Sequence, residues 1–335
     1  MRTLHQKVTI WHWAGLFFLV IFILSILANT WQSQFKADVP EIGVTFSNVY
    51  AMEILDDWKG AYSKMLNDLG VKSLRLPVYW SQIESTEGVY SFDDLDWMME
   101  EAVLHNVNVT LVVGVKVPRW PECFIPDWAE GYEKDYLRAE ATRFVRDVVL
   151  RYRTNTALER WQIENESLFY FGECPLPDLL RIEEETELVR SLDKDNEIQL
   201  TTSGEQGFWA FRASFAEVIG ASLYRVVWNE IFGYIVFPYR PELYSLQRLV
   251  TSTLTDKVVI AELQAEPWLH KDTGLGDTEA LYAAFTAEDL FENVKFAKRT
   301  GTDEIFLWGV EWWYYLLEQG DDRLWNAARE VFSEN

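Results

Sequence analysis

From Glu41 onward, short apolar runs rich in β-branched residues alternate with longer stretches whose apolar positions recur every three or four residues. The short runs are IGVTF (42–46), SLRLP (73–77), VTLVVGV (109–115), RWQIE (160–164), EIQLTT (197–202), SLYRVVW (222–228), KVVIAE (257–262) and EIFLW (304–308). Their length and composition predict strands. The longer stretches predict helices near 53–69, 92–105, 133–152, 177–193, 207–219, 241–254, 279–299 and 321–333. Such strict alternation predicts a parallel sheet with helices outside it. Eight units fit a (β/α)8 TIM barrel, which takes about 250 residues plus insertions. The alternative is a doubly wound open sheet, more usually of about five or six strands. No Pro/Gly/Ser-rich linker divides the repeats, so residues 37–335 read as one α/β domain.

The first 36 residues follow another pattern. No charge occurs between Lys7 and Lys36, and the stretch from Trp13 to Ala28 is almost wholly apolar. A bilayer-spanning helix needs about 20 mostly apolar residues, so residues 1–36 read as a cytoplasmic stub and a transmembrane anchor. Arg2 and Lys7 then stay inside, and the large domain lies outside the membrane. A cleaved signal peptide and a buried core helix are the alternatives.

Charge and composition narrow the function. The 335 residues carry a formal net charge of −23, which argues against a nucleic-acid partner. The chain holds 16 Trp, more than packing requires, and flat aromatic faces suit carbohydrate. There is no CxxC, HExxH, GxGxxG or Walker pattern, so neither a metal nor a cofactor is expected.

In a (β/α)8 barrel, chemistry sits where the strands end. The predicted strands bring Arg75, then Lys116, Arg119 and Trp120, then Glu164-Asn165-Glu166, Tyr224, Glu262 and Trp308 to that face. A carboxylate ending strand four and another ending strand seven are the minimal equipment of a glycosidase. Cys123 and Cys174 follow strands three and four, whose loops rise side by side. A disulfide between them is expected, and two buried thiols are the alternative.

At these residues the sequence resembles the clan A retaining glycoside hydrolases, in flavour its cellulase-like and family 42 β-galactosidase members. The resemblance rests on WQIENES (161–167), IAELQAEPW (260–268), with its E-x-Q-x-x-x-W shape, and LWGVEWWYY (307–315). The segment RLPVYWSQIESTEGVYSFDDLDWMMEEA (75–102) is similar to one against which substrate enters. The chain departs from the clan at Ser167, where Pro is frequent, and at Lys116, where many members carry His. The resemblance implies Glu166 as acid/base and Glu262 as nucleophile. It implies sugar contacts from Arg75, Lys116, Trp120, Asn165, Tyr224, Gln264, Trp308 and Glu311, with Trp308 as the floor. It implies an oligo- or polysaccharide substrate and no cofactor. A catalytically silent glycan-binding barrel (an adhesin or sensor) and a transglycosylase are the alternatives.

Overall fold

Eight strands close into a parallel barrel in the computed structural model, which describes residues 39–335 except 212, 230, 270–274, 276 and 335. They are β1 (Glu41–Thr45), β2 (Ser73–Pro77), β3 (Asn108–Val113), β4 (Leu158–Ile163), β5 (Glu197–Thr202), β6 (Val218–Leu223), β7 (Lys257–Gln264) and β8 (Glu304–Trp308). Each strand pairs with its sequence neighbours, and β8 returns to β1 with Thr45 opposite Trp308. This is the (β/α)8 architecture that the alternation predicts. The anchor expected over residues 1–36 lies outside the described residues. Among the described ones, no helix is long and apolar enough to cross a membrane.

Period-two alternation sends Leu74, Leu111, Ile198 and Ile305 outward, where they join the helices in one continuous core. Burying each such side chain stabilises the fold by roughly 1.5–3 kcal/mol. The inward positions are unusually polar. Arg160 reaches across the barrel to Glu304 (2.7 Å), which also accepts from Lys257 (2.7 Å). Above them Gln162 accepts from Arg75 and from Gln199. Burying polar groups is costly unless they are hydrogen-bonded, and these bonds join strands distant in sequence.

Two expected elements move. Residues 207–219 are not a helix: among the described residues the connection holds a 3₁₀ turn, Ala213–Phe215, and its end is already β6. Phe208, Phe211, Phe215 and Val218 recur with helical spacing, but strand pairing overrides that signal. Val218–Ala221 register against Gln199–Thr202 on one side, and Val218–Leu223 against β7 on the other. Gly220 permits the fit, because a Cβ there would stand 2.8 Å from the Cβ of Ala261. The expected strand 222–228 therefore ends early, and Val226–Asn229 pairs with Gly233–Val236 as a separate hairpin. The helix expected over 279–299 divides into Thr278–Ala284 and Ala287–Lys298, the second opened by a Thr286–Asp289 capping box.

Candidate active site

The ends of β2, β4, β6 and β7 converge on Glu262. Arg75 donates to its Oε1 (2.8 Å) and the Tyr224 hydroxyl donates to its Oε2 (2.9 Å). The same guanidinium donates to Asn165 Oδ1 (2.8 Å), so one buried cation fixes both the β7 carboxylate and the residue before Glu166. Glu166 accepts from the Ser222 hydroxyl (2.5 Å), and its backbone N–H donates to Thr201 Oγ1 (2.8 Å). Burial, reinforced by the charge of Glu262, pushes the Glu166 carboxyl up to about 7. A third carboxylate, Glu122, lies beside them. It accepts from Asn165 Nδ2 (3.3 Å) and stands 3.8 Å from Lys116 Nζ. Burial pushes it up to about 8, with Lys116 opposing and Glu262 and Glu166 adding to the rise.

The backbone is strained where these groups meet. Among the described residues, five non-glycine residues have positive φ, and four of them are Arg119, Glu122, Glu164 and Glu166. Left-handed conformations of this kind cost about 1–3 kcal/mol each and cluster at functional sites. Glu164 holds the geometry. Buried, it accepts from the backbone N–H groups of Val115 (3.0 Å) and Lys116 (2.7 Å) and from Arg181 (3.0 Å). Gly114 makes room for it, since a Cβ there would lie 2.8 Å from Glu164 Oε1.

The loop after β3 crosses the mouth. The Tyr79 hydroxyl donates to the Pro118 carbonyl (3.1 Å) and is hydrogen-bonded to the Ser47 hydroxyl (2.6 Å), joining this loop to the loops after β1 and β2. A disulfide joins Cys123 to Cys174 in the loop after β4, as expected. Beyond Pro118, the Arg119 guanidinium lies 4.0 Å from the Tyr50 ring centre and 4.2 Å from that of Trp308. It forks to Glu266 and to Glu311 (2.8 Å). Trp308 Nε1 also donates to Glu266 (2.9 Å).

Arg75, Asn165, Glu166, Tyr224 and Glu262 thus come together as expected, while other expected contacts have different partners. Trp308, the expected sugar floor, is buried with Arg119 over its ring, and Glu311 is buried against Arg119 and the Ser47 N–H. Gln264 accepts from the N–H groups of Arg225 and Val226 and donates to the Val226 carbonyl, holding the base of the hairpin. Lys116 donates to the carbonyls of Glu166 (3.4 Å) and Phe169 (3.2 Å), fixing the β4 loop. Trp120 is 63% exposed and ends a line of rings, Tyr224–Trp268–Phe171–Trp120, with centres 5.5–6.1 Å apart. In the 75–102 segment, Trp80 is fully buried and donates to Glu84 (2.8 Å), which also pairs with Arg143. That pair supports the fold rather than a substrate. Sequence reasoning placed Arg119 at the mouth but gave it no role, and it missed Glu122, Ser222 and Phe171. Glu122 and Phe171 lie on loops away from the strand-end motifs, while Ser222 enters from the end of β6, whose place the sequence reading shifted.

No family model matches the chain. Over 130 residues it is 26% identical to the β-galactosidase BgaB of Geobacillus sp., an alignment covering 33% of this chain and 19% of that protein. Over another 130-residue alignment it is 24% identical to the β-galactosidase LacZ of Heyndrickxia coagulans, with the same shares. The match thus spans about a fifth of these relatives' length. Among solved structures, xylanase 10B from Thermotoga maritima superimposes with a TM-score of 0.58 at 14% identity, covering 88% of this chain and 95% of that one. The GH5_18 structure from Bifidobacterium longum gives 0.57 at 13% identity, covering 81% and 69%. The chain shares their barrel. The likeness to clan A glycoside hydrolases, read from motifs in the sequence, extends to the fold.

Proposed function

We propose that the barrel is a retaining β-glycosidase. The observation that carries this reading is the pairing of unlike carboxylates at one mouth. Glu262 is clasped by Arg75 and Tyr224, while Glu166 holds its proton to about pH 7. Glu166 protonates the glycosidic oxygen as Glu262 attacks the anomeric carbon, and Glu166 then deprotonates the water that releases the sugar. With Trp308 covered, the sugar stacks along the Tyr224–Trp268–Phe171–Trp120 line. In the same reading, residues 1–36 anchor the barrel outside the cytoplasmic membrane, where its disulfide persists. A C-terminal reporter active only outside the membrane checks that placement.

Glu262→Gln abolishes turnover of aryl β-glycosides by the full chain, and a mechanism-based fluorosugar labels Glu262. Glu166→Ala loses on the order of 10²–10⁴ in kcat on poor leaving groups and far less on activated ones. Labelling of Glu266 instead would overturn the assignment. The covered face of Trp308 favours a second reading, a barrel that binds glycan without cleaving it. Glycan binding with no turnover across the panel would establish that one.

A further inference from the structure

The β5–β6 connection is where the outer layer has no helix among the described residues, and a cavity of about 320 Å³ lies there. Ligand pockets begin at roughly 300 Å³. The walls are mostly apolar. Leu200 and Ile219 face outward from β5 and β6, Phe208 and Trp209 come from the connection, and Leu168 and Phe169 from the segment just after Glu166. A covering helix would fill this space in a regular unit.

Two observations tie the cavity to the carboxylates. One wall, Ser167–Phe169, follows Glu166 directly in the chain. Thr201, which also lines the cavity, accepts the Glu166 backbone N–H (2.8 Å). A group that protonates a leaving oxygen stands on the leaving-group side of the scissile bond, and the cavity begins one residue past that group in the chain. Its rim is apolar as well: Phe208 is 61% exposed and Leu168 38% exposed. Large apolar side chains at the rim of an apolar cavity mark a binding surface for apolar ligands.

We propose that this cavity is the leaving-group subsite and takes a hydrocarbon chain, so the substrate class is a β-glycoside of a lipid alcohol. The proposal rests on the glycosidase reading above. The glycosidic C–O bond breaks, the lipid alcohol departs with the proton of Glu166, and water gives its hydroxyl to the sugar and returns a proton to Glu166.

The test uses the full chain and the sugar it turns over best as an aryl β-glycoside. Methyl, hexyl and octyl β-glycosides of that sugar are compared below their micellar concentrations. Burial of successive methylenes raises kcat/KM from methyl to octyl on the order of tenfold or more. Phe208→Ser and Leu168→Ser each bring the octyl-to-methyl ratio toward one. A flat series in the unmodified chain, with aryl glycosides still cleaved, overturns the lipid assignment and leaves the glycosidase reading standing. So does a rising series that neither substitution reduces. Failure to cleave any glycoside brings down both.

Discussion

The two halves of the barrel mouth are built on opposite principles. Over β8, β1 and β2, the β3 loop lies across the strand ends, and its Arg119 is stacked between Tyr50 and Trp308 and forked between Glu266 and Glu311. Both buried carboxylates there share the Arg119 guanidinium, and the half is closed. Over β4, β5 and β6, a helix gives way to an irregular connection, a cavity opens, and Phe208 and Tyr170 stand in solvent. Glu166 and Glu262 sit where the halves meet. One half is held by buried ion pairs, and the other leaves a cavity open to solvent. One fold gains rigidity and access in different sectors of the same rim.

The contrast breaks most readily at Arg119. Arg119→Met leaves Glu266 and Glu311 without their shared cation in a buried setting, a change that costs about 3–5 kcal/mol. The thermal midpoint falls by about 10 °C. The matched substitution on the open half, Phe208→Ser, changes stability by less than about 0.5 kcal/mol. Equal losses in thermal unfolding would show that the halves do not differ as described.

Next in size is the Cys123–Cys174 bond, which ties the closing loop to the open side across a sequence separation of 51 residues. Its removal by the double Cys→Ser variant lowers stability by about 2–4 kcal/mol. Because this loop carries Lys116, Glu122 and Arg119, activity at temperatures below unfolding falls as well. A midpoint unchanged in the variant would mean that the remaining contacts alone hold the closed half.

A further effect is one of pH. In an open chain Glu122 and Glu166 lose their protons near 4.5, but in the fold they hold them to about 8 and about 7. The folded state therefore binds more protons across that window. The associated stability is complete below 4.5 and is lost as pH rises through 7 and 8. Glu122→Gln and Glu166→Gln each raise the midpoint above pH 8 relative to the unmodified chain, by about 2–4 °C for each kcal/mol recovered. Neither gains stability below pH 4.5. Midpoints that fail to converge at low pH would assign the effect to packing rather than to charge.

Much of this was legible in the chain. Seven of the eight barrel strands lie within a few residues of their apolar runs, because alternation and β-branching are local signals. Glu166 and Glu262 were legible because each ends a strand, and Arg75 and Tyr224 because barrel topology brings those strand ends to one face. β6 was misplaced because the spacing of Phe208, Phe211 and Phe215 carries a helical period that only pairing with β5 and β7 can overrule. Gln264, Trp308 and Glu311 sit at the expected strand end or just after it, yet each has its polar or aromatic face taken by a loop.

The sequence by itself determined the barrel and the two carboxylates, since periodicity and strand-end position suffice for these. Tertiary structure decided which half of the mouth is closed. The path of the β3 loop depends on contacts between residues more than a hundred positions apart, Arg119 with Glu266 and Glu311 among them. It decided the raised carboxyl of Glu166 too, because burial and the approach of Glu262 exist only once the strands have closed around them.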